Sequence, residues 1–214
     1  MRSYGDYILK IIFVPVVNTN CYLLILNNKA ILFDAGGNGD EIIKYVKNNN
    51  VEISTIFITH GHYDHIEALD NILCYFPNAD LYALNDEKIV IEHSENSLMN
   101  YELKNTTINK IKYINDNGII SSLNLDIKTI STPGHTIGSC CYYINKYNLL
   151  FSGDTLFRNT YGRTDLPTGD FTAITQSIKL KLFELPNETI VYPGHGFSTT
   201  IEYEKSHNDI LINN

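Results

Sequence analysis

With 214 residues, 43% of them apolar and 19% charged, the chain has the make-up of an ordinary soluble globular protein that buries roughly 70% of its unfolded surface in one domain. Lys and Arg number 16 against 24 Asp and Glu, a formal net charge of −8, which sets aside nucleic acid and an anionic membrane as main partners. No apolar run is long enough to span a bilayer.

The elements are read in chain order. Ile8–Val17, Cys21–Leu26 and Ala30–Phe33 are β-rich runs separated by Asn-rich turns, and they predict a meander. The first is interrupted by Lys10 and Pro15 and lacks a small-residue cleavage site, so it reads as a strand rather than a signal peptide. Asp40–Lys47 has helical spacing, with acids in its first turn and lysines later. Ile53–Thr59 is a short apolar strand, and helices are predicted over Ile66–Tyr75 and about Asp86–Leu103. Strands at Leu125–Ile130, Ser139–Ile144 and Asn148–Phe151 precede a helix near Phe171–Phe183. Thr189–Tyr192 is a last strand, and Thr200–Asp209 closes the chain as a helix. Two β-rich halves with helices outside predict a four-layer sandwich of the α/β class.

The four cysteines, Cys21, Cys74, Cys140 and Cys141, form no CxxC pair. They read as reduced, buried thiols, with Cys140 and Cys141 on opposite faces of one strand, and place the protein in the cytoplasm.

The densest chemistry lies in Thr59-His60-Gly61-His62-Tyr63-Asp64-His65. Three fragments answer it downstream: Pro133-Gly134-His135-Thr136, Ser152-Gly153-Asp154-Thr155 and Pro193-Gly194-His195-Gly196. Each follows a predicted strand, so a rigid sheet holds each loop. Imidazole and carboxylate are donors for zinc, iron or manganese, and these seven side chains suit two neighbouring divalent ions. On an extended loop His60 and His62 project to one side while Asp64 and His65 turn to another, and Gly61 gives the backbone room to fold closely around the ions. His93 and His207, outside the fragments, are expected at the surface. Asp34 is expected to order nearby loops by hydrogen bonds, and Phe157 and Tyr161 to pack.

The succession THxHxDH, PGHT, SGDT and PGHG, with Asn20-Cys21-Tyr22 and Phe33-Asp34-Ala35-Gly36 upstream, resembles the metallo-β-lactamase superfamily and its glyoxalase II-like branch. The resemblance implies the αββα sandwich over a single domain, 1–214. It implies that His60, His62 and His135 hold a first metal, that Asp64, His65 and His195 hold a second, and that Asp154 bridges them. Zinc is the first expectation for both ions, with iron or manganese as alternatives. A carboxylate at the SGD position is similar to the thioesterase and oxygenase branches rather than to the lactamases with cysteine there.

The implied activity is hydrolysis of a small-molecule 2-hydroxyacyl thioester such as S-lactoylglutathione, with Asp64 aiming the attacking water. The rival is a mononuclear iron persulfide dioxygenase. A nuclease of the same superfamily is disfavoured by the acidic charge. Gly162-Arg163-Thr164-Asp165 resembles a family element in which Arg163 either binds a substrate carboxylate or braces the loop against Asp165. The helical C-terminal domain of full-length glyoxalase II has no counterpart after His195, which leaves the thiol half of the substrate open, as it does the oligomeric state.

Overall fold

In a computed structural model, residues 1–15, 17–37 and 39–212 are described. One sheet takes seven strands in chain order: β1 (Arg2–Tyr4), β2 (Tyr7–Val14), β3 (Thr19–Leu26), β4 (Lys29–Phe33), β5 (Glu52–Ile58), β6 (Asp80–Leu84) and β7 (Ile111–Ile114). The first four pair antiparallel, which is the expected meander, and β4 to β7 pair parallel. A second sheet is built from β8 (Ile119–Ser122), β9 (Leu125–Ser131), β10 (Cys140–Ile144), β11 (Leu149–Gly153), β12 (Ile190–Pro193) and β13 (Thr199–Thr200), in spatial order β13-β12-β11-β10-β9-β8. Its pairs are antiparallel except β11 with β12.

Two-residue alternation sorts the strands into layers. In β3, Tyr22 and Leu24 join Phe33, Phe57, Tyr142 and Phe151 between the sheets, where the Phe33 and Phe151 rings stack 3.8 Å apart. Cys21, Leu23 and Ile25 point the other way, onto helices Asp40–Asn48 and Leu69–Tyr75. Across the second sheet, Cys141, Tyr143, Leu150 and Val191 pack on Ile174, Ile178 and Leu182. The four-layer αββα sandwich is therefore present, and Cys140 and Cys141 do face opposite sides. Cys74, expected to be buried, is exposed, because it lies off the buried face of its helix formed by Leu69, Ile72 and Leu73. No helix among the described residues is long and apolar enough to cross a membrane.

Several elements depart from expectation. The strand predicted over Ile8–Val17 ends at Val14, before Pro15, which has no N–H for the ladder; Val16 lies outside the described residues. The helix predicted over Ile66–Tyr75 is split into a turn, Tyr63–Ile66, and a helix, Leu69–Tyr75. The helix predicted over Asp86–Leu103 is short turns at Asn85–Glu87, Lys88–Ile91 and Ser94–Asn96, followed by left-handed Leu98, Met99 and Asn100 (φ 64°, 53° and 50°). Long-range bonds outweigh helical propensity there, for the Ser97 carbonyl accepts from Tyr63 N at 2.8 Å. Near Phe171–Phe183 an α-helix, Phe171–Ser177, runs into a π-turn at Ile178–Leu182. The closing helix is Ile201–His207, capped by the Thr200 hydroxyl, which accepts from Tyr203 N. Strands β1, β6, β7, β8 and β13 were not anticipated from the sequence.

Candidate metal centre

All four donor fragments leave the C-terminal ends of strands β5, β9, β11 and β12 and meet on one edge of the sandwich. His60, His62 and His135 bring one potential ligand atom each into a cluster no wider than 4.8 Å, and Asp64, His65 and His195 form another of that size. His60, His65 and Asp154 make a third grouping that joins the two. Of the loop's own donors, His60 is grouped with His62, and Asp64 with His65.

Asp154 lies between the sets. Its Oδ1 is 3.4 Å from His65 Nε2, and its Oδ2 is 3.5 Å from His135 Nε2 and 3.4 Å from His195 Nε2. Asp64 Oδ2 is 3.4 Å from His65 Nε2 and 3.3 Å from His195 Nε2, and accepts a 2.8 Å bond from Thr19 Oγ1. His60 Nε2, His62 Nε2, His65 Nε2 and Asp154 Oδ1 are buried without a hydrogen-bond partner. An unpaired buried polar atom costs about 1–3 kcal/mol, so four at one point fit a cation that would accept their lone pairs.

Electrostatics separates the histidines. Burial, helped by the neighbouring imidazoles, pushes His60 well below its ordinary range and His62 down to about 3, so both are neutral donors. Burial opposes charge on His65 and His195 too, but the carboxylates beside them prevail, raising His65 strongly and His195 to about 10. Burial likewise works against the charged form of Asp64, yet His65, His195 and Thr19 hold it at about 2. Divalent ions would displace the imidazolium protons, as metal binding to histidine does.

The surrounding bonds orient the donors. Asp34, left-handed at φ 57°, accepts from Thr59 N, Thr59 Oγ1 and His65 Nδ1, each at 2.8 Å. It therefore orders the loop, as expected, and its bond to Nδ1 leaves His65 Nε2 for the centre. Asn20 and Tyr22 grip the loop of His195: Asn20 Nδ2 donates to Pro193 O and Gly196 O (3.1 and 2.9 Å), and Tyr22 Oη to Pro193 O (2.6 Å).

Glu87, unremarked in the sequence, ties the other two loops. Its buried carboxylate accepts from Gly61 N (2.7 Å), Gly138 N (2.9 Å) and Thr136 Oγ1 (2.8 Å). No local signal marks it, because its partners lie far along the chain.

Arg163 is split between its two halves. Its backbone carbonyl accepts from His135 Nδ1 at 2.7 Å, while its guanidinium forks onto Asp165, with both bonds 2.7 Å, at an exposed position. The bracing of the centre comes from the main chain. His93 and His207 are at the surface as expected, and Tyr161 packs near Phe171. Phe157 is only partly buried and borders a cavity with His195.

The glycines serve backbone approach. A Cβ on Gly61 would meet Ile91 Cγ1 at 2.9 Å, so the room it leaves is taken by the Lys88–Ile91 turn and not, as expected, by the donor cluster. Gly194 does face the centre: its Cβ would lie 2.2 Å from Asp154 Oδ1 and 2.7 Å from His65 Cε1. Gly194→Ala is expected to displace Asp154 and lower both metal content and kcat/KM by about 10–100-fold, as disturbed ligand supports do. Full loading with unchanged kinetics would show that the loop moves aside freely.

Known proteins carry the same plan. The chain is 36% identical over 198 residues to a probable metallo-hydrolase of Streptococcus pyogenes, covering 90% of this chain and 85% of that one. It is 30% identical to the hydroxyacylglutathione hydrolase GloC of Haemophilus influenzae over 95% and 97% of the two chains. Among solved structures, the BLEG-1 B3 metallo-beta-lactamase superposes with a TM-score of 0.86 at 34% identity, covering 95% of this chain and 99% of that one. ETHE1 from Myxococcus xanthus does so with a TM-score of 0.74 at 27% identity, over 94% and 83%. The family model of the Metallo-beta-lactamase superfamily matches residues 14–195, a span that opens at the end of β2 and closes on the last histidine of the donor cluster. The chain belongs to the metallo-beta-lactamase superfamily.

Proposed function

We propose that the protein is a binuclear hydrolase of 2-hydroxyacyl thioesters such as S-lactoylglutathione. The observation that carries this reading is the pair of donor sets around Asp154: a second set, Asp64, His65 and His195, stands beside the three-histidine set. The likeness to GloC along nearly the whole of both chains supports the substrate class.

Two divalent ions, zinc in this reading, would supply Lewis acidity and lower the pKa of a bound water to about 7. The protein does the positioning. Asp64, fixed by Thr19, presents a carboxylate oxygen that can accept a hydrogen bond from the attacking water and aim it. Asp34 and the Arg163 carbonyl hold the His65 and His135 rings in place. A thiol leaving group ionises near pH 8.5, at about 8–9, so the departing sulfur needs little help from an acid. A β-lactam, the class named for BLEG-1, expels an amine, a poorer leaving group, and serves as the control substrate.

A mononuclear iron persulfide dioxygenase is the second reading, with which the likeness to ETHE1 is compatible. Metal exchange separates the two. A hydrolase loaded with zinc alone should cleave S-lactoylglutathione and take up no oxygen with glutathione persulfide, since its chemistry involves no redox change. Oxygen uptake by the iron form, lost with zinc and unaccompanied by thioester cleavage, would reverse the assignment.

A further inference from the structure

Beside the donor cluster a cavity of about 440 Å³ is lined by Phe157, Arg158, His195 and Phe197 among others. Arg158 also lines a neighbouring cavity of about 330 Å³, with Arg2, Ser198, Thr200 and Tyr203. The two thus adjoin at Arg158 and lead from His195 to Arg2, each of a size usual for small-ligand sites. We propose that the Arg2–Arg158 cavity is an anion subsite for the carboxylate or phosphate at the far end of the substrate's thiol half, with the uncharged middle of that half lying against Phe157 and Phe197. The inference rests on the thioester reading of the metal centre.

The basic residues are distributed unevenly. Only three of the 16 are arginines, and two of those three line this one cavity. Arg163, the third, is closed by its fork onto Asp165. Lysine and arginine ion pairs include Lys88–Glu92, Lys112–Asp80, Arg163–Asp165 and Lys181–Asp116, and among the described residues neither Arg2 nor Arg158 is in one. Two guanidiniums that line one cavity without an ion-pair partner can both act on one bound anion.

Both are also held in place. Arg2 lies 5.7 Å over the Tyr192 ring, with Nη1 donating to Tyr192 Oη and Nη2 to Ser198 Oγ, both at 3.2 Å. Arg158 lies 5.5 Å over the Tyr203 ring. Stacking fixes the guanidinium plane while leaving N–H groups for a bidentate acceptor, a role a lysine does not fill. The cavity walls are joined from behind by buried Glu204, whose carboxylate accepts from Thr199 Oγ1 (2.5 Å), Asn159 N (2.9 Å) and Asn208 Nδ2 (2.7 Å). Those three donors satisfy the one buried acid of this wall.

The test compares lactoyl thioesters of three thiols: glutathione, ending in carboxylates, 4′-phosphopantetheine, ending in a phosphate, and N-acetylcysteamine, uncharged. Wild type should prefer at least one anionic thioester over the uncharged one by about tenfold or more in kcat/KM, and the better of the two identifies the anion. Arg158→Gln and Arg2→Gln, both at exposed positions, should each erase most of that preference through KM, with melting temperature and metal content kept. Calorimetric binding of free glutathione and free phosphopantetheine should weaken about tenfold or more in the same variants. Should no thioester be cleaved, the hydrolase reading fails while calorimetry still decides the subsite. Equal use of charged and uncharged thioesters, or anionic thiols that bind the variants as tightly as wild type or bind neither, would overturn the proposal.

Discussion

Asp154→Ala should lower kcat by several orders of magnitude, roughly 10³-fold or more, in a protein that still folds. The expectation follows from position: one carboxylate oxygen faces His65 and the other faces His135 and His195, so a single side chain serves both donor sets. Its removal would take a ligand from each ion and leave two positive charges opposed without an anion between them. Asp154→Asn keeps the volume and removes the charge, and should fail nearly as badly. Metal content read alongside kcat separates loss of an ion from loss of chemistry. A variant with two tightly held ions and near-native turnover would sink the bridging assignment.

Glu87→Gln should cost about 10–100-fold in kcat, although Glu87 is not one of the seven donors. The carboxylate accepts from Gly61, Thr136 and Gly138, so it sets the spacing between the loop of His60 and His62 and the loop of His135. An amide in its place turns an NH₂ toward a backbone N–H, and one of those buried donors loses its acceptor.

The same residue leaves a mark on stability. Burial pushes the Glu87 carboxyl up to about 7, against a partial counter-effect from its three donors. A carboxyl whose folded pKa lies above its unfolded value, near 4.5, keeps its proton longer in the folded state. Stability therefore falls as pH rises from about 4.5 to about 7 and levels off above that, by on the order of 3 kcal/mol at most. Gln does not titrate, so denaturant midpoints at pH 5 and pH 7.5 should lie closer together in the variant. The difference between the two proteins isolates Glu87 from every other titrating group. Parallel pH profiles with unchanged kcat would show that this carboxylate does not hold the loops.

The unbroken apolar runs Cys21–Leu26 and Ala30–Phe33 are enough to place two strands buried on both sides, because successive side chains on a strand point to opposite faces whatever lies around it. The donors of the centre were equally legible: His60, His62, Asp64 and His65 sit on one short loop, and His135, Asp154 and His195 each follow a strand. Asp34, one residue past β4, is legible as a loop organiser for the same reason.

What sequence alone misjudged lay wherever a long-range bond outweighs a local preference. Segment 86–103 has helical spacing, yet Ser97 is held by Tyr63, and the chain turns left-handed at Leu98 to Asn100. Only the tertiary structure showed that Arg163 braces His135 through its carbonyl, that Gly61 makes room for Ile91, and that Glu87 joins loops 26 and 49 residues away. The meeting of Arg2 and Arg158, far apart in the chain, in one cavity belongs with these. Residue type and short spacing are covalent facts, so the sequence by itself determined the layers and the kind of atom offered to a metal. Which buried acceptor meets which distant donor is fixed only when the two sheets close on each other, and that packing decided how the donors are held.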